Sequence, residues 1–153
     1  MPGPQSVSVY QFKVVLRGIS PMMWRRLLLR SDHSVADLHY AIQVAMGWSD
    51  SHLHQFHIHG RDFGVEHEGG VGFSDDPAKV HLADFGFLLR ERFLYEYDFY
   101  DAWEHDGEQQ QPGGQQCSSL ILWINAPFGP SGPLKTIGLL QVSSTMSNNH
   151  CWN

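Results

Sequence analysis

At 153 residues, with 42% apolar and 12% aromatic side chains, the chain has the length of one domain and enough apolar mass for a core without disulfides or structural metal. Its two cysteines, Cys117 and Cys151, exclude a disulfide framework, and neither belongs to a CxxC pair. The formal net charge of −6 excludes a generic polyanion binder, yet it is unevenly spread: net +4 over residues 1–35, −11 over 36–108 and +1 over 109–153. The N-terminus lacks a basic region followed by an apolar run, and no stretch approaches the ~20 apolar residues of a membrane helix. The expectation is a cytoplasmic chain with no membrane partner.

Val7–Ser20 alternates as a strand, with Tyr10, Phe12, Val14 and Leu16 on the expected core face. Gly18-Ile19-Ser20-Pro21 is turn chemistry, and Met23–Arg30 reads as a second strand closing a hairpin. Period two puts Trp24, Arg26, Leu28 and Arg30 on one of its faces and Met23, Arg25, Leu27 and Leu29 on the other. The spacing of Val35, Leu38, Ala41, Ile42, Ala45 and Met46 predicts an amphipathic helix, with Ser34 as N-cap, Asp37 at its positive end and Gly47 as left-handed terminator. His39 and Tyr40 fall off the centre of that stripe, and His39 is expected to be partly exposed.

After the turn Trp48–Ser51, a strand is expected over Leu53–His59. His54, Phe56 and Ile58 share one face; Gln55, His57 and His59 share the other. Gly60–Asp76 reads as a polar loop or hairpin with an extended piece near Phe63–Val65. Lys79–Phe85 fits a short strand or a helical turn. Phe93–Phe99 is a strand with Phe93, Tyr95, Tyr97 and Phe99 on one face. Past Asp106, Gly107–Gln116 has the Gln/Gly/Pro texture of a linker, with strands possible at Leu120–Ile124 and Ile137–Val142.

Four blocks, PMMWRRLLL (Pro21–Leu29), VADLHYAIQVAMGW (Val35–Trp48), SHLHQF (Ser51–Phe56) and YEYDFYDAWEH (Tyr95–His105), resemble the plasmid pRi open-reading-frame-three-like family, also known as passenger proteins of insertion elements. The resemblance spans about residues 7–106. It implies a single α+β domain: a curved, mostly antiparallel sheet with one principal helix packed on it. It implies no particular activity. The family reads Tyr-Asp-Phe-Gly-Asp before the Trp, and here Tyr100 stands at the glycine; a positive φ there would strain Tyr100. Residues 107–153 do not match. They are expected to be a disordered, out-of-frame or divergent tail.

Three groups of residues could carry chemistry. His57 and His59, two apart on one strand face, could chelate a divalent metal if Glu66, His67, Asp101 or His105 supplied a third ligand. The plainer reading is a polar sheet face with hydrogen-bonded histidines. His52 and His54 match the family's His-Leu-His block and are expected to tie the post-helix turn to the Phe93–His105 strand. Asp98, Asp101, Glu104 and Asp106 crowd around His105, where they could hold a cation, do acid–base work, or simply cap a turn and pair with Arg25 or Arg26. With Trp48, Tyr97 and Trp103 they could line a shallow cleft. Arg26 with Trp24 could meet nucleic acid, or merely cover an aromatic ring.

No GxSxG, Walker, GxGxxG or HExxH motif is present. The expectation is therefore a non-enzymatic binding module, without cofactor, that meets a protein or nucleic acid through a face around Trp24, Arg26, Trp48 and Trp103. The alternative is a metal-dependent hydrolase using His57 and His59 with Asp98 or Asp101.

Overall fold

The computed structural model describes residues 7–65, 72–73 and 75–110, and the backbone alone of 121–124 and 137–139. Among the described residues eight strands form one sheet: β1 (Val9–Leu16), β2 (Trp24–Arg30), β3 (His54–Ile58), β4 (Arg61–Gly64), β5 (Arg92–Tyr97), β6 (Trp103–Gln110), β7 (Ile121–Ile124) and β8 (Ile137–Leu139). The spatial order is β4-β3-β5-β6-β1-β2-β7-β8. Neighbours among the first six strands are antiparallel, and β7 runs parallel to β2. The fold is α+β, an open curved sheet with helix α1 (Val35–Met46) across one face.

Period two decides which face the helix covers. Phe12 and Val14 of β1, Leu27 and Leu29 of β2, Phe56 and Ile58 of β3, and Phe93, Tyr95 and Tyr97 of β5 point to one side. They meet Val35, Leu38, Ala41 and Ile42 of α1. The helix begins in a full capping box: Ser34 Oγ accepts from Asp37 N at 3.1 Å, and Asp37 Oδ2 accepts from Ser34 N at 2.8 Å. It ends at Gly47, whose φ of 78° only glycine adopts cheaply. Lys79–Phe85 resolves into a 3₁₀ turn over Leu82–Phe85 that drops Leu82 into the core.

Four expectations change. β3 and β4 form a tight hairpin whose two turn residues, His59 (φ 50°) and Gly60 (φ 73°), are both left-handed, as a two-residue turn between twisted strands requires. The expected linker at Gly107 is the middle of β6, so a boundary at Asp106 would cut a strand paired on both sides. Gly107 is glycine because the Phe93 ring covers it: a Cβ there would lie 2.1 Å from the ring. Tyr100 is not left-handed; that strain falls on Asp98 (φ 57°) and Ala102 (φ 52°), while the Tyr100 side chain stands free in solvent. The bend at Asp98 also ends β5 and swings Phe99 off the core face. Of the tail, strands lie at Ile121–Ile124 and Ile137–Leu139; Cys117, Cys151 and the rest fall outside the described residues.

Candidate functional site

Where α1 ends and β3 begins, a polar cluster sits inside the apolar layer. His39 projects from α1 and is 2% exposed, not partly exposed as expected. Its Nε2 lies 2.8 Å from Asp50 Oδ1, and its Nδ1 lies 2.9 Å from the Tyr95 hydroxyl. Gln43, one turn along α1, donates from Nε2 to the same hydroxyl at 2.8 Å. Its Oε1 accepts from Asp50 N at 2.9 Å, so one buried amide fixes both Tyr95 and the Asp50 turn. His54, first residue of β3, stacks on His39 with ring centroids 3.5 Å apart and planes 9° from parallel. His39, Asp50 and His54 each offer a ligand atom within 4.8 Å of the other two.

Burial sets the charge states here. It pushes His39 down to about 4 and, with His39 adding to the effect, His54 down to about 3. The adjacent Asp50 carboxylate works against the shift at His54, but its side chain is 42% exposed and its field is partly screened by water. Both rings are therefore neutral at neutral pH. Burial raises the Asp50 carboxyl and the Tyr95 phenol.

A second feature occupies the end of the sheet beside this cluster. Trp48, just past the helix, packs on Tyr97 (5.3 Å), Trp103 (5.8 Å) and the edge of His105 (6.4 Å). The Trp48 indole nitrogen and His105 Nε2 are buried with no hydrogen-bond partner among the described residues. Three connections meet at this end: Gly18–Met23 between β1 and β2, Ser51–Leu53 before β3, and Asp98–Ala102 between β5 and β6. They carry the exposed side chains of Met22, Met23, Leu53, Phe99 and Tyr100. Asp98 caps its turn by accepting from Tyr100 N at 3.1 Å and stands 3.5 Å from His52. Asp101 lies exposed in the same turn.

The sheet divides the remaining candidates. Trp24 and Arg26 lie on the face away from α1, whereas Trp48 and Trp103 lie on the helix side, so the four do not share a face. Arg26 covers the Trp24 ring at 5.5 Å, and Lys13 does so at 5.2 Å. Neither Arg25 nor Arg26 pairs with Asp98 or Asp101: Arg25 reaches through the helix side to Ala45 O at 2.9 Å. Arg17 takes the acidic block instead, binding Glu104 at 2.7 Å and Asp106 at 2.6 Å.

His57 and His59 line an open groove of about 510 Å³ with Arg17, Glu91, Arg92 and Asp106. Each has its own carboxylate, Asp62 at 2.7 Å for His57 and Glu91 at 3.0 Å for His59. Among the described residues no third ligand joins them, and Glu66 and His67 lie outside those residues. Of the two other suggested ligands, His105 is buried on the opposite face and Asp101 lies in the β5–β6 turn. Asp98 N donates to Leu53 O, four residues and about 13 Å along the chain from His57, and among the described residues neither Asp98 nor Asp101 groups with His57 and His59.

The sequence alone does not single out Gln43, Asp50 or Tyr95, and it puts His39 nearer the surface than the structure does. A signal existed: His39 and Gln43 are four apart and share one helix face, flanking the apolar stripe.

A family model described as "Plasmid pRiA4b ORF-3-like protein" matches residues 8–111. The chain is similar to "Uncharacterized protein y4hQ" of Sinorhizobium fredii, at 35% identity over 99 residues, 64% of this chain and 51% of that protein. It thus spans about half the length of that relative. It is also similar to the crystal structure titled "Protein of Unknown Function MM3350" from Methanosarcina mazei Go1, with 32% identity, a TM-score of 0.59, and coverage of 72% of this chain and 66% of the other.

Proposed function

This chain belongs to the plasmid pRiA4b ORF-3-like family, and on that premise, which carries no reaction with it, we propose that it is a binding domain whose partner is a protein. The docking surface is the end of the sheet bearing Met22, Met23, Leu53, Phe99 and Tyr100, with Trp48 and Trp103 beneath. The observation that supports this reading most is the convergence of those exposed apolar side chains, carried on three separate connections, at one end of the sheet. Grouped apolar exposure of this kind favours protein contact, and Trp and Tyr dominate such contacts energetically. The unpartnered Trp48 indole N–H adds a buried donor beneath the surface.

Nucleic acid fits less well. Arg17, Arg30, Arg61 and Arg92 are all paired with carboxylates, and phosphate would have to displace them.

The test is site-directed photocrosslinking in the producing cell, with the photoreactive side chain at position 100 and, as control, at the exposed Lys79. A discrete protein adduct from position 100 alone, abolished by Leu53→Asp, is the expected result. Nuclease-sensitive adducts would transfer the surface to nucleic acid. No adduct beyond that of the control would overturn the proposal.

A further inference from the structure

We propose that His39, Asp50 and His54 form a binding site for one divalent first-row transition cation, of the zinc or ferrous class. The three residues come from different parts of the fold: the middle of α1, the turn after it, and the first position of β3. Folding alone brings their ligand atoms within 4.8 Å of one another. Two imidazoles and one carboxylate are a donor set suited to zinc or iron(II) and poorly suited to magnesium or calcium, which prefer all-oxygen shells.

The surroundings supply what a metal site needs beyond its ligands. A ligating histidine holds its other ring N–H on a fixed acceptor, and the Tyr95 oxygen stands 2.9 Å from His39 Nδ1. With the proton on Nδ1, the Nε2 lone pair faces Asp50, where a cation would take it. Gln43 locks this arrangement from behind, holding the Tyr95 hydroxyl with its amide nitrogen and the Asp50 backbone with its amide oxygen. The half-exposed Asp50 side chain opens a route from solvent. Three protein ligands leave coordination positions for water or a small donor.

One adjustment accompanies occupancy. The two rings are stacked 9° from parallel, and one ion cannot lie in both planes at once. His54 is the less buried of the two, so its ring tilts while His39 stays on Tyr95.

The experiment uses the full chain, stripped with a chelator, then titrated with Zn²⁺ by calorimetry and with Co²⁺ by visible absorption. The expected result is one ion per chain, a cobalt ligand-field band, and a rise in Tm with zinc. Asp50→Asn and His54→Gln weaken binding about tenfold or more, while the His57→Ala/His59→Ala double variant binds as the parent does. If His54→Gln fails to fold, Asp50→Asn carries the reading, because that side chain is half exposed. An absence of stoichiometric binding overturns the proposal. So does binding that survives Asp50→Asn, wherever else the ion then sits. Neither outcome touches the docking surface, which is tested by crosslinking with no metal added.

Discussion

The Phe93 ring lies flat against the backbone of Gly107 on the neighbouring strand, so close that a β-carbon would fall 2.1 Å from Cζ. Phe93 cannot step aside, because Phe12, Phe56 and Phe87 surround it at 5.4, 6.0 and 6.2 Å. Gly107→Ala is therefore an overpacking mutation. It should cost about 1–3 kcal/mol, read as a lower urea midpoint. An unchanged midpoint would show that the ring has room the structure denies it.

Tyr95→Phe keeps the ring and deletes the hydroxyl, leaving the Gln43 amide and His39 Nδ1 buried without a partner. The expected loss is about 1–3 kcal/mol in chemical denaturation. Because Gln43 also holds Asp50, the variant should weaken zinc binding as well as stability. A fully stable variant would mean that the hydroxyl contributes nothing net.

Acid should destabilise the protein earlier than its carboxylates alone would cause. The folded chain holds His39 down to about 4 and His54 down to about 3. The unfolded chain protonates both near the ordinary value of 6.5, so it binds more protons between those limits. Stability is then level above about pH 6.5 and falls as the pH drops through 6 and 5. His39 alone accounts for on the order of 3 kcal/mol by pH 4. Urea unfolding at a series of pH values checks this, and His54→Asn should flatten part of the slope. A profile flat from pH 7 to 5 would contradict the buried neutral pair.

Ser34→Ala removes the hydroxyl that accepts from Asp37 N, while the backbone N–H of residue 34 still donates to Asp37 Oδ2, so one half of the capping box is lost. A loss of about 1 kcal/mol is expected, measurable as a drop in Tm with no change in the folded far-UV spectrum. Arg17→Ala is the contrast. Its ion pairs with Glu104 and Asp106 are about half exposed, and their removal should cost less than about 1 kcal/mol.

Local patterns were legible where one period controlled one element. The helix from Val35 to Met46, its Ser34 cap and its Gly47 terminator could be read directly, as could the core face of β1 and the division of β2 into two faces. What could not be read was pairing across the chain. His39 looks peripheral on a helical wheel and becomes buried only because β3 and β5 deliver His54 and Tyr95 over it. Gly107 resembles linker glycine until Phe93 is known to face it. Trp24 and Trp103 both look like surface aromatics, and only the sheet shows that they stand on opposite sides. His57 and His59 have a chelating spacing on paper, but Asp62 from β4 and Glu91 ahead of β5 claim them separately. Tertiary neighbours decided each of these cases.

β6 occupies the middle of the sheet, hydrogen-bonded to β5 along one edge and to β1 along the other. The first hairpin, β1 with β2, and the β4-β3-β5 ribbon meet through no other described strand. Without β6 the two halves would each present an unpaired strand edge, β5 on one side and β1 on the other. The pairing of Gln11 with Gln110 spans nearly the whole family segment, a long-range contact of the kind that slows folding. A chain lacking Trp103–Gln110 would keep helix α1 across both halves and still leave a gap in the sheet beneath it.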